Sequence, residues 1–511
     1  MLEMRLSSLA LVALLEAVAI LGSPTKPSCS QADLSVKIES GTVHGIVDSV
    51  NPDVRQFLGI PYGKPPVDDL RWAPPKAVEP FGEFNATTPA ASCIQYLTSL
   101  SSIWINDVLQ FNQGGLNGTI GPMSEDCLTI SVWAPRGAKK HLPVLLWIYG
   151  GSFKTGGENV PYQIPTQWIQ RTQDHIVVTF NYRVNIFGFP NAAGLDEAKQ
   201  NLGLFDQRLA VEWVRDNIAA FGGDADRIGL WGQSAGGISV AYYSYTYPED
   251  PIVSSLLMDS GNEYLDILSY DTPHSNFTFL ASQFGCGRLE PAEELACMRK
   301  ADAYAIEEFL HSYTDNGTEP AVSFAPVIDE KTVFSDFEAR ALNGSVAALP
   351  TILGSNRDDG VPFVPYDPDG VNATLAFAVT LQYFFCPAYK SANNRIAAGA
   401  PVFRYEFSGN FSNLSPRPWM GAWHNSELPL LFGTHSDYRG PSTTLENETS
   451  VVLQDAWLSL VSGGALGTLA QDWPLYDRSA GSLIREFGNG VAVQTTNFQE
   501  WESLCPEAFQ A

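Results

Sequence analysis

A serine stands at the apex of a turn flanked by glycines. The segment 232–236, Gly-Gln-Ser-Ala-Gly, directly follows the apolar stretch 228–231. This pattern predicts a strand that turns sharply into a helix and holds the hydroxyl of Ser234 clear of the backbone, where a base can reach it. Because short patterns of this kind also arise by chance, a glycine-rich helix start without chemistry is the alternative. The partners of Ser234 decide between the two.

A nucleophile on such a turn takes its acid and then its base from later in the chain. Four histidines follow Ser234, and two of them, His274 and His311, lie in polar stretches expected at the surface. His424 comes after the strand-like run 402–407 and a loop rich in Ser, Asn, Pro and Gly, a position suited to a base. His435 is close by and is the alternative base.

The acid is expected between the serine and the histidine. The run 350–355 has the composition of a buried strand, and the segment 356–360, Asn-Arg-Asp-Asp-Gly, follows it. Open α/β sheets keep their functional groups at the carboxyl ends of such strands. Asp358 or Asp359 is therefore expected to orient the imidazole, the alternative being a carboxylate that only caps the next helix.

Acyl transfer also needs preset donors for the negative charge that develops on the carbonyl oxygen. The buried strand expected at 144–149 runs into Gly150, Gly151, Ser152 and Phe153. Glycines at this place leave backbone N–H groups free to face a cavity, as in the loop that serves the oxyanion hole of lipases and esterases. Ordinary turn glycines are the alternative.

Strands and helices must alternate along the chain to position these groups. Strand-like runs at 144–149, 176–181, 228–231, 350–354 and 402–407 alternate with helical stretches such as 205–221. This order predicts an α/β fold with a mostly parallel central sheet and helices on both faces. Because the candidate triad spans 234 to 424, we expect one catalytic domain over residues 23–511.

Seven ordered motifs together resemble the type-B carboxylesterase and lipase family over roughly residues 35–505. The motifs are 57–62, 124–128, 149–153, 181–183, 206–210, 221–224 and 232–237. The resemblance implies the α/β-hydrolase fold, with Ser234 as the nucleophile, Asp359 as the acid and His424 as the base. It further implies oxyanion-hole donors at Gly151, Ser152 and Ala235, and a buried second layer, as in the cholinesterase branch, at Ser260 and Glu427.

Three positions depart from the family pattern. Gln233 stands where many relatives carry Glu, so a negative charge that attracts cationic substrates is missing and choline esters become poor candidates. Asp359 replaces the more common Glu, which shortens the arm by one methylene and leaves Asp358 in contention. Ser152 replaces the third glycine of the oxyanion loop, but the donor there is a backbone N–H that serine also supplies.

The chain has seven cysteines, which in an oxidising compartment suggests disulfides with one thiol left over. The family resemblance implies three pairs: Cys93 with Cys127, Cys286 with Cys297, and Cys386 with Cys505. Cys29 is then unpaired. No spacing of Cys or His suggests a metal site, and no cofactor is expected.

The N-terminus predicts secretion. Residues 1–22 carry Arg5, an apolar run from Leu9 to Leu21 and then small residues, which is the layout of a cleavable signal peptide rather than a membrane anchor. Nine acceptor sites for N-glycosylation fit the secretory route: Asn85, Asn117, Asn276, Asn316, Asn343, Asn372, Asn410, Asn413 and Asn447. The net charge of −26 repels nucleic acid and anionic membrane surfaces, so neither is expected as a partner.

The loop 93–127 bears on the substrate. It is rich in aliphatic and aromatic side chains, Trp104 among them, with hardly any charge before Gly114. A helix there would be apolar on much of its surface and would need an apolar partner. In lipases of the family the equivalent loop is a lid over the acyl site; the alternative is a fixed wall.

These features predict a secreted serine hydrolase that cleaves apolar carboxylic esters through an acyl-enzyme, without a cofactor. Its partner is a small-molecule or lipid ester, with transient contact to a lipid interface in the second case. An interfacially activated triacylglycerol lipase is therefore the first alternative. A neuroligin-like extracellular binding protein, which keeps the fold but has lost the serine, is the remote one.

Overall fold

The computed structural model describes residues 34–108, 121–137 and 139–510. The predicted signal peptide, Cys29 and Asn117 lie outside these ranges. Within them, no helix is long and apolar enough to cross a membrane.

Fifteen strands are present in the described ranges, and ten of them form one large sheet. In chain order they are β1 Ser35–Ile38, β2 Gly41–His44, β3 Val54–Pro61, β4 Gly82–Asn85, β5 Ser92–Cys93, β6 Met123–Ser124, β7 Thr129–Pro135, β8 Leu142–Ile148, β9 Ile176–Phe180, β10 Gly223–Gln233, β11 Ser255–Asp259, β12 Thr351–Asn356, β13 Val402–Phe407, β14 Leu483–Phe487 and β15 Val493–Asn497. The order in the large sheet is β15-β14-β13-β12-β11-β10-β8-β9-β7-β3.

The interior of this sheet is parallel and its margins are antiparallel. All pairs from β14 through β9 are parallel, whereas β15, β7 and β3 each add an antiparallel pair. The parallel strands β8 to β13 are buried along almost their whole length, which fits a sheet covered on both faces. The predicted mostly parallel α/β-hydrolase sheet is confirmed.

The helices of the described ranges are α1 Ile103–Asn106, α2 Thr166–Thr172, α3 Asn185–Gly188, α4 Leu202–Phe221, α5 Ala235–Thr246, α6 Ser275–Gln283, α7 Pro291–Met298, α8 Ala303–Asp315, α9 Phe337–Leu342, α10 Ala373–Val379, α11 Cys386–Ala397, α12 Leu428–Phe432, α13 Thr444–Leu469 and α14 Gln499–Ser503. A π-helical turn, Thr380–Phe385, joins α10 to α11. Helix α13 kinks at Gly464, whose φ is 57°.

Two glycines of β10 show that helices cover both faces of the sheet. A Cβ at Gly229 would meet Val461 of α13 at 2.5 Å, whereas a Cβ at Gly232 would meet Gly236 of α5 at 2.4 Å. Residues 229 and 232 have opposite parity in the strand and therefore point to opposite faces. Helices α5 and α13 thus sandwich the central strand, and the close approach of α5 sets the position of the turn between them.

Three disulfides close loops around this core. They join Cys93 to Cys127, Cys286 to Cys297 and Cys386 to Cys505, the pairs that the family resemblance implied. The loop closed by the first of these is described at 93–108 and 121–127 only. Its described helix, α1, is four residues long.

The described acceptor asparagines differ in exposure. Six of them are exposed and Asn276 is half-buried. Asn413 is buried, and its side-chain amide donates to the carbonyl of His435 at 2.8 Å and to the hydroxyl of Ser442 at 3.2 Å. That nitrogen is the atom a glycan would occupy, so the folded chain argues against Asn413 as an acceptor and leaves Asn410 as the exposed site of this close pair.

Candidate active site

Ser234 links the end of β10 to the start of α5 in a strained conformation. Its φ of 55° and ψ of −124° lie where L residues are seldom found. Both glycines of the turn are sterically required: a Cβ at Gly232 would come within 2.4 Å of the Gly236 backbone, and one at Gly236 within 2.0 Å of the Ile148 carbonyl oxygen. The turn therefore has the sharpness that the sequence pattern predicts.

Asp359 and His424 are brought together from the ends of β12 and β13. Nδ1 of His424 lies 2.8 Å from Oδ1 of Asp359. Oδ2 of this fully buried carboxylate accepts from the Ser260 hydroxyl and from the backbone N–H of Asn356, each at 2.8 Å. Because a carboxylate accepts hydrogen bonds, Nδ1 is the donor in this contact, which leaves Nε2 as the ring atom that can accept a proton. This is the orientation that a general base needs.

The two alternative residues have other partners. Oδ2 of Asp358 accepts from the Ala422 amide at 2.9 Å. Nδ1 of His435 contacts the Ser442 hydroxyl at 2.6 Å, and burial lowers the pKa of His435 to about 4. Neither Asp358 nor His435 is among the described residues that line the cavity around Ser234.

The loop after β8 supplies backbone donors. Gly151 and Ser152 have φ values of 107° and 56°, and a Cβ at Gly151 would come within 2.4 Å of the Thr155 carbonyl oxygen. Among the residues described, no backbone oxygen accepts a hydrogen bond from the N–H groups of Gly151, Ser152 or Ala235. Gly151 and Ser152 line the same cavity as Ser234. The N–H groups of Gly151 and Ser152 thus lie at the cavity without a backbone acceptor in the described chain.

Gln233 takes part in the site in a way that the sequence did not reveal. Its side-chain Nε2 lies 3.0 Å from Nε2 of His424 and donates to Oδ1 of Asn425 at 2.7 Å. An amide NH2 has two protons, so it can donate to both atoms at once. The imidazole is therefore held from both sides, by Asp359 at Nδ1 and by a neutral amide at Nε2.

A layer of buried carboxyl groups lies behind the triad. Oδ2 of Asp259 accepts from Nε1 of Trp231 at 2.5 Å, and Glu427 is hydrogen-bonded by the side-chain amide of Asn356. Burial raises the pKa of Asp259 to about 7, and burial together with the nearby Asp259 raises the pKa of Glu427 well above its usual range. Both shifts favour the neutral, protonated form of these carboxyls and so reduce the negative charge beside Asp359.

The cavity in front of Ser234 has a volume of about 310 Å³. Three aromatic rings surround His424: the ring centroids of Phe384, Phe363 and Trp104 lie 4.8, 5.1 and 6.4 Å from that of the imidazole. Phe363 and Trp104 also line the cavity. The described lining residues are Tyr96, Leu97, Thr98, Trp104, Ile105, Gly151, Ser152, Lys154, Thr155, Ser234, Thr314, Phe363, His424 and Asn425. Within the described ranges, no group of three or more His, Cys, Asp or Glu side chains is arranged to hold a metal ion.

Comparison with known proteins identifies the family of this chain. The model of the carboxylesterase family matches residues 32–381. The chain belongs to the carboxylesterase family. It is 43% identical to a chlorogenic acid esterase of Aspergillus niger over 98% of this chain and 100% of that protein, and 40% identical to secreted lipase 5 of Gibberella zeae over 92% of each. A cholinesterase of Mus musculus is 26% identical over 90% of this chain and 84% of its own length. The chain is a carboxylic ester hydrolase.

Proposed function

We propose that this carboxylesterase family member hydrolyses esters through an acyl-enzyme on Ser234. His424 Nε2 takes the proton of the Ser234 hydroxyl as the oxygen attacks the ester carbonyl carbon. The protonated His424 then gives that proton to the departing alcohol oxygen, and the C–O bond breaks. In the second half, His424 deprotonates a water that attacks the acyl carbon, the acid leaves and Ser234 recovers its proton. The Asp359–His424 contact of 2.8 Å is the observation that carries this proposal.

The tetrahedral intermediates of both halves carry a negative charge on the former carbonyl oxygen. Gly151, Ser152 and Ala235 are the donors for it, because their N–H groups are unused by other backbone oxygens of the described chain. Donors fixed by the backbone need no reorganisation when charge develops, which makes this contribution one of the largest in acyl transfer.

The preferred substrates are esters of apolar, including aromatic, acids. The cavity is small, at about 310 Å³, and Trp104 and Phe363 present rings on its His424 side. Planar acyl groups can stack against such rings. The chlorogenic acid esterase relative, matched over its whole length, supports this choice.

Single substitutions test the assignment. Ser234→Ala and His424→Ala should each lower the turnover of p-nitrophenyl butyrate by roughly ten-thousand-fold or more, because the two residues act as a unit. His435→Ala, the matched control, should keep most of the activity. Comparable rates in Ser234→Ala and the parent would refute the nucleophile.

The second candidate is an interfacially activated lipase. It is favoured by the secreted lipase relative and by the apolar side chains of the described part of the 93–127 loop, where Leu100 is 53% exposed. If the loop is a lid, a lipid surface shifts the population toward the open form. Hydrolysis of tributyrin should then rise abruptly at its solubility limit, and Trp104→Ser should weaken the rise. A smooth curve in both proteins supports the carboxylesterase.

Secretion is part of the same proposal. Residues 1–22 form the signal peptide, and residues 23–511 form the mature enzyme, which carries glycans at exposed acceptor sites. The secreted relative and the three disulfides support this location. N-terminal sequencing of the protein recovered from the culture medium, before and after removal of N-glycans, tests both points.

A further inference from the structure

Lys154 is a charged side chain in the catalytic cavity that the proposed reaction does not use. It lies two residues after Ser152, in the turn where its own amide donates to the Gly151 carbonyl at 2.9 Å. Phe153, fully buried, packs against Phe189 at 5.2 Å between ring centroids and so anchors this turn from the other side. Lys154 is half-buried and lines the cavity together with Ser234 and His424.

No acidic side chain of the described residues lines the cavity beside Lys154. Of the Lys, Arg, Asp and Glu residues in the described chain, Lys154 is the only one that lines this cavity. Burial lowers the pKa of Lys154, and no carboxylate in the described ranges offsets that shift. An unpaired half-buried ammonium is unfavourable unless a ligand pairs it, and it stands out in a chain of net charge −26.

The surroundings of Lys154 suit a polar part of a substrate rather than an acyl chain. Thr98, Thr155 and Thr314 bring hydroxyl groups to the same cavity, whereas the rings of Trp104 and Phe363 lie against His424. The cavity lining thus combines aromatic rings beside the base with one cationic side chain and three threonines. An ester with an apolar acyl half and an anionic, hydroxylated alcohol half matches both.

We infer that Lys154 binds a carboxylate carried by the substrate, so that the enzyme prefers esters whose alcohol half is anionic. This inference rests on the proposed ester hydrolysis and narrows its substrate class. An ammonium that pairs with a substrate carboxylate in a partly dehydrated site forms a charge-assisted hydrogen bond. Because the paired group lies away from the ester bond, its effect is on the recognition of the alcohol half and not on the chemistry at the carbonyl.

A matched pair of substrates tests the inference. Chlorogenic acid carries a carboxylate on its alcohol half, and its methyl ester has the same acyl group and hydroxyls without the charge. We expect the parent to show the higher kcat/KM for the anion. Lys154→Gln should lower kcat/KM for chlorogenic acid by about 10- to 100-fold, the range for one charge-assisted hydrogen bond, and should change that for the methyl ester little. Lys154→Arg should keep the preference for the anion.

The control removes the same charge elsewhere. Lys140 is exposed, and Lys140→Gln should leave both substrates unaffected, which separates a local contact from a change in net charge. Equal losses on the two substrates in Lys154→Gln would overturn the inference and assign Lys154 to the oxyanion or to the fold. A parent that hydrolyses p-nitrophenyl butyrate without preferring the anionic member of the pair would also overturn it, and would leave the ester-hydrolase proposal standing.

Discussion

Gln233→Glu is expected to move the acid limb of the pH–rate profile to higher pH. The substitution keeps the length of the side chain and puts a carboxylate where Nε2 of Gln233 lies 3.0 Å from Nε2 of His424. A negative charge at this distance stabilises the imidazolium relative to the neutral ring. The neutral ring is the form that accepts the proton of Ser234, so a higher pH is needed to reach it.

The distance sets the size of the effect. Two unit charges 3 Å apart interact by about 1.4 kcal/mol in water and by about 5.5 kcal/mol at an effective dielectric constant of 20. Desolvation of the new carboxylate opposes part of this gain, so we expect a displacement of about 1 to 3 pH units, the range seen for close opposite charges.

The assay is kcat/KM for p-nitrophenyl butyrate as a function of pH, because this ratio reports the free enzyme and because a neutral ester does not respond to Lys154. Gln233→Met is the matched control: it removes the hydrogen bond without adding a charge and should lower the rate with a smaller displacement of the limb. An acid limb that stays in place in Gln233→Glu, or moves to lower pH, would refute the contact between residue 233 and the imidazole.

Two further predictions concern the aspartates of the site. Asp359→Asn should cut turnover heavily with little change in substrate binding, because an amide holds the imidazole in the wrong tautomer. Asp358→Asn should lower turnover only mildly. Steady-state kinetics of both variants checks this, and the reverse result would assign the acid to Asp358. Asp259, whose pKa burial raises to about 7, binds a proton more tightly in the folded than in the unfolded chain, so the parent loses stability as pH rises from about 4 to 7. Asp259→Asn lacks this titration, so its free energy of unfolding minus that of the parent should rise between about pH 4 and 7, by at most about 4 kcal/mol. Denaturant unfolding of both proteins across this pH range measures the difference. A difference that does not change with pH would show that Asp259 is ionised throughout.

The sequence predicts the central strands well because they are buried on both faces. Strand β13 has the predicted bounds, Val402–Phe407, and β8 and β9 differ from the predicted runs by one or two residues. Strand β10 begins at Gly223, five residues earlier than its apolar core, because Gly223 pairs with Leu142 of β8 ahead of a shift in register that ends at Ile228. The antiparallel margins were not predicted, since pairing direction depends on how distant segments meet and not on local periodicity.

The residues of the candidate triad could be predicted from the sequence, because each of them follows a strand that the sequence predicts. The sequence does not predict how the loops after different strands contact each other. Gln233 and Asn425 are 192 residues apart, and their hydrogen bond exists only because the turn after β10 faces the loop after β13. Phe384 reaches His424 from a π-helical turn that no composition signal marks. Such contacts depend on side-chain direction within the folded chain.

Lys154 gives this cavity a charge opposite to that of the protein as a whole. Gln233 places a neutral amide, and not a negative charge, beside the base. Both features disfavour cationic esters, and Lys154 favours anionic ones. The net charge of −26 acts the other way on an approaching anion, but it is spread over a surface where salt screens it beyond about 8 to 10 Å. A contact inside the cavity is screened much less, so at physiological salt the local charge decides which ester is retained.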